Sequence, residues 1–335
     1  MTTSDNRDYA GTVLLIAVGT ASPLAISSTT HKLPPIGLLS IGAVLEAHCY
    51  QPKIFNLLAH PESLHDFTSE LRTLTDTPLM VGFTVFTETV KSTFGAASAV
   101  RAAFPDTTIV FGGPHSTFCP EELLSHSDVD YVIRGEGEPA VVELLEHLRH
   151  RGLPLSEIRG LVYRDPDGRL IYNESRPFQS DLDELPIPSY HLTKRPALLM
   201  IIASRGCPGQ CTFCASGAVS GAAYRMHSAE FLFSVVHEYL PEGDRGFAVM
   251  DDTFTVNKKR TLRFCRLLHA SGRNYGVWSI KSRADHVSED VVRELAAAGC
   301  SSVHIGVESG DDEVLKKIGK NITVAKVRRA VEVCL

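Results

Sequence analysis

The sequence predicts two consecutive α/β domains, an open parallel sheet wrapped by helices and then a partial β/α barrel. Apolar runs of strand length alternate with amphipathic stretches of helical length over residues 11–150, and again over 198–335. Between them, Asp181-Leu-Asp-Glu-Leu-Pro-Ile-Pro-Ser-Tyr190 carries two prolines that deny regular structure. Polar and glycine-bearing motifs follow the strands, at the carboxyl ends where sheets and barrels of this kind hold ligands.

Composition sets the outer limits. The 335 residues are 44% hydrophobic and 21% charged, ordinary values for a chain that buries a core. A net charge of −6 and a pI near 6.2 argue against a nucleic-acid or membrane surface, both of which favour basic patches. No apolar run approaches the roughly 20 residues needed to span a bilayer. Eight cysteines do not make a disulfide-dense scaffold, and no signal peptide is read, so a reducing cytoplasm is the expected location. Cys49, Cys119, Cys265, Cys300 and Cys334 are scattered and read as small buried hydrophobes.

In the first domain the predicted strands are Thr12–Val18, Lys53–Leu57, Leu79–Thr84, Thr108–Phe111 and Tyr131–Arg134. Predicted helices include Gly37–His48, Val90–Phe104 and Glu138–Arg149, with Pro105 and Asp106 closing the second. Three strands run into motif-like segments. One is Thr84-Val-Phe-Thr-Glu-Thr89, which offers Thr84 and Thr87. The next is Gly112, Gly113, Pro114 and His115, and the last is Gly135, Glu136, Gly137 and Glu138. Glycine at such a place lets backbone approach a large flat or anionic ligand, and it equally makes a plain turn.

Residues 151–197 read as the connection between domains. Leu161-Val-Tyr-Arg-Asp-Pro-Asp-Gly-Arg-Leu-Ile-Tyr172 predicts a hairpin there, two β-rich arms around an Asp-Pro-Asp-Gly turn. From Leu198 the pattern becomes strand, loop, helix, repeated. Its strands are Leu198–Ser204, Gly246–Met250, Tyr275–Lys281 and Ser302–Val307, and the last predicted helix is Val324–Cys334.

The loop after the first of these strands holds Cys207, Cys211 and Cys214 as Cys-x-x-x-Cys-x-x-Cys. That spacing aims three thiolates at one point. A structural zinc site usually takes four ligands in two close pairs, and no second pair lies nearby. A [4Fe–4S] cube has four irons and is usually held by four cysteines, so three leave one iron open. The later strands end in Met250-Asp-Asp-Thr-Phe-Thr-Val-Asn257, Ser282-Arg-Ala-Asp285 and Gly306-Val-Glu-Ser-Gly310. Asp251 and Asp252 suit a helix N-cap as well as a ligand, and Arg283 suits a structural ion pair as well as a bound anion.

The three-cysteine loop and the Asp-Asp-x-Phe-Thr-x-Asn stretch resemble the radical S-adenosylmethionine (SAM) enzymes. Leu33-Pro-Pro-Ile-Gly-Leu-Leu-Ser-Ile-Gly-Ala-Val-Leu-Glu-Ala-His48, Phe111–His115 and Val132–Glu138 resemble the cobalamin-binding domain that precedes many radical SAM domains. This resemblance implies a flavodoxin- or Rossmann-like cobalamin-binding domain over 11–150 and a radical SAM barrel over 198–335. It implies three cofactors: a [4Fe–4S] cluster on Cys207, Cys211 and Cys214, SAM on its open iron, and cobalamin. Arg283 would meet the SAM carboxylate, Glu308 the ribose, and Phe213 the adenine, or Phe213 would simply exclude water. The Asp-x-His-x-x-Gly motif that ligates cobalt from below is absent from the sequence, so no histidine ligand is expected from it.

The family barrel usually has six β/α units and four are counted here, so the domain is expected to be C-terminally incomplete, a fragment or a shortened homologue. The implied activity is methyl transfer to an unactivated carbon of a small metabolite or natural-product intermediate, initiated by a 5′-deoxyadenosyl radical. A radical SAM cyclase, a rearrangement enzyme and a non-catalytic cobalamin-binding relative remain open. An external electron donor such as flavodoxin or ferredoxin is expected, with no nucleic-acid or membrane partner.

Overall fold

A computed structural model of the protein describes residues 9–19, 34–57, 63–74, 76–193, 198–241, 243 and 246–335. Leu33, at the head of the expected first helix, and residues 194–197, at the expected junction, lie outside the described residues. Backbone contacts divide the chain into two compact units. The first runs to Phe178 and resumes at Leu185, while the second takes Gln179–Glu184 and everything described from residue 198 onward.

The first unit is built from β1 (Thr12–Val18), α1 (Ile36–Ala47), β2 (Gln51–Leu57), α2 (Ser63–Thr73), β3 (Met80–Thr84), α3 (Val90–Ala103) and β4 (Thr108–Gly112). Two short helices follow, α4 (Pro114–Phe118) and α5 (Pro120–Leu124). Then come β5 (Tyr131–Ile133), α6 (Glu138–Leu148), β6 (Leu161–Arg164) and β7 (Leu170–Tyr172). The sheet order is β2-β1-β3-β4-β5-β6-β7, and the first five strands are parallel. That order is the flavodoxin-like one.

The strand period of two explains why β1 is apolar throughout. Val13, Leu15 and Ala17 enter the core shared with Leu38 and Leu45 of α1 and Val141 and Leu144 of α6. Leu14, Ile16 and Val18 enter the opposite core with Phe67 and Leu71 of α2 and Ala96, Ala97 and Val100 of α3. A strand covered on both faces has no polar side to present.

One expectation is corrected here. The hairpin placed in the connection is part of the sheet. β6 pairs antiparallel with β5, and β7 pairs with β6. Leu161 and Val162 are both fully buried, one in each core. Adjacent apolar residues need cover on both faces of a strand, and a connecting hairpin would leave one face wet. The scattered cysteines also differ from expectation. Cys265 is buried, Cys119 and Cys300 are half-buried, and Cys49 and Cys334 are exposed.

The second unit begins with β8 (Leu199–Ile201), β9 (Ser204–Arg205), α7 (Ser216–Ser220), β10 (Arg225–Met226) and α8 (Ala229–Tyr239). It continues through β11 (Gly246–Val249), α9 (Lys258–Ala270), β12 (Val277–Ser282), α10 (Glu289–Ala297), β13 (Cys300–Ile305), α11 (Asp312–Lys317) and α12 (Val324–Cys334). Strands β8, β11, β12 and β13 lie side by side in that order, all parallel, as a β/α repeat requires. Helix starts are set by side-chain caps. Ser228 accepts from Phe231 N, Asn257 from Arg260 N, and Thr323 from Lys326 N. Phe247 stacks on Trp278 at 5.0 Å, and Phe264 meets the Trp278 ring edge-on. No helix of the described residues is long and apolar enough to cross a membrane.

The Gln179–Glu184 segment is tied to this unit through Asp183. His227 Nδ1 donates to Asp183 Oδ1 at 2.9 Å, and Ser228 N donates to the same oxygen at 3.1 Å. His227 also stacks on Phe231, with ring centroids 3.9 Å apart. Burial lowers the His227 pKa from 6.5 to about 4, and the Asp183 bond only partly opposes it. The unfolded chain therefore binds more protons between those values, so stability rises with pH across that window and is lost as pH falls. Urea unfolding of this unit, followed through the single tryptophan Trp278, is expected to show about 2 kcal/mol less stability at pH 5 than at pH 7. His227→Gln should flatten that slope.

Candidate active site at the three-cysteine loop

The cysteine loop leaves β8 and is fastened at both ends by backbone. Gly206 has φ +83°, and a Cβ there would stand 2.2 Å from Ala223 O and 2.8 Å from Gly221 O. Any larger residue before Cys207 would collide with main chain. Cys207 N donates to Gly221 O at 3.3 Å, and Thr212 N donates to Ile318 O at 2.9 Å. Gly319, with φ +68°, lets Gln210 O approach to 2.5 Å of where its Cβ would be. The loop thus sits between the turn after α7 and the turn after α11.

A cavity of about 360 Å³ opens over the loop. Cys207, Cys211 and Cys214 line it, with Phe213, Asp252, Arg283 and Glu308. The structure therefore brings together every residue expected on this side except Asp251. All three thiols are free. Cys207 Sγ and Cys211 Sγ stand 3.3 and 3.9 Å from the position of a Cβ on Gly209, so they share one side of the loop. A four-iron cube holds its thiolates at separate corners, and this donor set fits it better than it fits zinc.

Arg283 forms the structural ion pair and also lines the cavity. Its Nε and one terminal nitrogen donate to the two oxygens of Asp285, each at 3.0 Å, and it also donates to Lys320 O at 2.8 Å. Burial alone would lower its pKa, but the Asp285 bond and charge, with the nearby Cys211 and Cys207, raise it. Glu308 occupies the left-handed region at φ +62°, a conformation that costs free energy for a non-glycine residue. Lys320 Nζ donates to Glu308 Oε1 at 3.0 Å and holds the carboxylate. Phe213 is 57% exposed, its ring presented to the cavity. Ser216 Oγ donates to Asp252.

Asp251 is the correction. It is fully buried behind the loop rather than in the cavity, where it organises backbone. Its Oδ1 accepts from Ala203 N at 2.6 Å and Ser204 N at 3.0 Å, and its Oδ2 accepts from Ser204 Oγ at 2.5 Å. Arg260 stands 3.8 Å away and donates to Ala203 O, Phe254 O and Tyr224 Oη. Burial raises the Asp251 carboxyl above its ordinary value, and the Arg260 charge and the three donors oppose this only in part.

Lys281, His304 and Lys320 also line the cavity and were not read from the sequence. Lys281 and His304 lie near the carboxyl ends of their strands, the signal that located Arg283. Lys320 carried no such signal, since it follows a short helix. Lys281, Arg283 and Lys320 put three cationic side chains on the same cavity wall as the thiols, a setting that suits an anionic ligand group.

In the first unit, the expected residues gather at the carboxyl ends of β3, β4 and β5. Thr84 pairs with Gly112 in the sheet register. Gly113, at φ +98°, would put a Cβ 2.9 Å from Thr84 Oγ1, so only glycine allows that approach. Gly135, at φ +75°, has nothing within 4 Å of a Cβ position, which leaves an open face bordered by Gly137 and half-buried Glu136. Ser116 Oγ is buried without a partner among the described residues. A glycine edge with an orphaned hydroxyl beside it fits a large flat ligand resting on backbone. Two expected residues face elsewhere. His115 uses both ring nitrogens, toward Thr87 Oγ1 at 3.1 Å and Glu122 Oε2 at 3.2 Å. Glu138 is buried and accepts from Ser40 Oγ at 2.9 Å, joining α6 to α1.

Comparison with known proteins agrees with this geometry. A family model of the radical SAM superfamily matches residues 201–335, and a B12 binding domain model matches residues 23–145. The uncharacterized methyltransferase PH0819 of Pyrococcus horikoshii is 32% identical, over 93% of this chain and 68% of its own length. The anaerobic magnesium-protoporphyrin IX monomethyl ester cyclase of Rubrivivax gelatinosus is 25% identical, over 89% of this chain and 56% of its own. Among solved structures, the cobalamin-dependent S-adenosylmethionine radical enzyme OxsB, with aqua-cobalamin and S-adenosylmethionine bound, superposes with a TM-score of 0.81. It is 20% identical, and the match covers 97% of this chain and 47% of that one. The two domain matches, the three free thiols over one cavity and the relative at 32% identity establish that this chain belongs to the radical SAM superfamily, among those members that carry a B12 binding domain ahead of the radical SAM domain.

Proposed function

We propose that this chain holds the cofactors of a methyltransferase that acts on an unactivated carbon of a small metabolite or natural-product intermediate. The observation that carries the reading is the cavity, in which three free thiols, two carboxylates and three cationic side chains meet within about 360 Å³. The relative at 32% identity, itself a methyltransferase by name, supports it.

When bound, the cluster supplies the electron that splits SAM into methionine and a 5′-deoxyadenosyl radical, and cobalamin supplies the methyl group. The protein's part is position and exclusion. Cys207, Cys211 and Cys214 would hold the cluster and leave one of its irons for SAM. Arg283 offers its remaining donors to the SAM carboxylate, kept in orientation by Asp285. Glu308 accepts from the ribose hydroxyls, fixed by Lys320. Phe213 covers the adenine, and Asp252 anchors the cavity wall through Ser216. Thr84, Gly112, Gly113, Pro114, Gly135, Glu136 and Gly137 form the backbone edge that receives the corrin, with Thr87, His115 and Glu138 bracing it from behind. An electron donor of the flavodoxin or ferredoxin class completes the cycle.

The cyclase relative supports a second reading, in which the same radical closes a ring. One experiment separates the two. The anaerobically reconstituted, reduced protein is given SAM with a trideuterated methyl group, hydroxocobalamin and a small-molecule extract. Methyl transfer places the label on an extract component and releases 5′-deoxyadenosine. A product that has lost hydrogen without gaining label supports the cyclase. The absence of 5′-deoxyadenosine overturns both.

A further inference from the structure

We infer that His115, Cys119 and Glu122 form a second metal site, one that takes a single divalent transition ion of the zinc class. It lies in the first unit, away from the cluster cysteines in sequence, and shares His115 with the corrin edge proposed above.

The local sequence builds it. Pro114 and Pro120 each start a short helix, α4 and α5, so His115 falls in the first turn of one and Glu122 in the first turn of the other. Cys119 is the break between them, and its N–H donates to His115 O at 2.9 Å. One donor atom from each of the three side chains lies within 4.8 Å of the others, and they form the one such group among the described residues.

The spacing suits an ion. A tetrahedral centre with imidazole nitrogen and carboxylate oxygen at about 2.0–2.2 Å holds those two atoms about 3.3 Å apart. His115 Nε2 and Glu122 Oε2 are 3.2 Å apart. A thiolate at about 2.3 Å from the same ion would sit about 3.6 Å from either, and the Cys119 sulfur lies within 4.8 Å of both donor atoms. His115 is buried, and its other nitrogen meets Thr87 Oγ1 at 3.1 Å, the outer contact that orients a metal-binding imidazole. Glu122 is more than half exposed, which gives the ion an entry path and a fourth, water-filled position. A thiolate, an imidazole and a carboxylate favour zinc, with cobalt(II) as its spectroscopic substitute, over magnesium or calcium.

The test uses the full chain in two forms. In the first, Cys207, Cys211 and Cys214 are replaced by serine so that only other sites take metal, and the protein is titrated anaerobically with Co²⁺. The expected result is one tightly held ion per chain, with tetrahedral d–d absorption and a thiolate-to-cobalt charge-transfer band. Cys119→Ser should remove that band and weaken binding at least about 100-fold, and Thr87→Val should keep the band while weakening binding about 10-fold. In the second, the cluster-loaded protein with its native cysteines is desalted after exposure to Zn²⁺ and its zinc measured. Wild type should retain one zinc, and Cys119→Ser none. Failure of wild type to retain zinc, or a cobalt spectrum unchanged by Cys119→Ser, overturns the site and leaves His115–Glu122 as a plain side-chain hydrogen bond.

Discussion

Cys211→Ala is expected to abolish the cluster. Iron in the reconstituted protein should fall from about four per chain to near zero, and reductive cleavage of SAM should fall to background. The loop offers three sulfurs and no spare. Among the described residues no other cysteine lines the cavity, and its two carboxylates, Asp252 and Glu308, are already paired with Ser216 and Lys320. Removing one sulfur leaves two corners held, too few to retain the cube against exchange. The informative control is Cys265→Ala. Burial within α9 pushes that thiol up to about 12, so it stays protonated and does not ligate iron. Iron content and SAM cleavage should be unchanged in the control. If Cys211→Ala retained four irons and cleaved SAM, the assignment of the loop would fail.

Asp251→Ala is expected to destabilise the second unit by about 3–5 kcal/mol. Both members of the Asp251–Arg260 pair are almost wholly buried. Deleting the carboxylate strands a guanidinium and leaves the N–H groups of Ala203 and Ser204 without their acceptor. Those two residues begin the approach to Cys207, so cluster retention should fall along with stability. Urea unfolding read through Trp278 measures the first effect and iron content the second. Arg260→Met should cost a similar amount for the mirror-image reason. The double variant should cost less than the sum of the singles, because no buried charge is then left alone. A loss below about 1 kcal/mol for Asp251→Ala would show that the pair is not what holds the loop.

Much of this arrangement is legible in the sequence. Strand period and helix period are local properties, and they located β1, β3, β4 and the repeated units after residue 198 to within a few residues. The cysteine spacing is local as well. What failed to read was pairing. Leu161 and Val162 are an ordinary apolar dipeptide until β5 is known to need a neighbour. Asp251 and Asp252 are adjacent and chemically alike, yet one turns inward to Arg260 and the other outward to the cavity. Nothing in the sequence ranks them, because the difference depends on a guanidinium nine residues later in a helix. Lys320 shows the same gap, since its partner Glu308 lies across a helix and a turn.

The fastening of the cysteine loop has a consequence for how the protein is made. Thr212 is held by the carbonyl of Ile318, 106 residues further along the chain. As a ribosome releases the polypeptide, the three thiols emerge long before the turn that clamps them. Throughout that interval they stand on an unlatched hairpin, open to iron carriers and to oxygen alike. Contacts this distant in sequence form late. Closure of the loop therefore waits for the α11 turn, and a prematurely released chain would carry the three thiols without that latch.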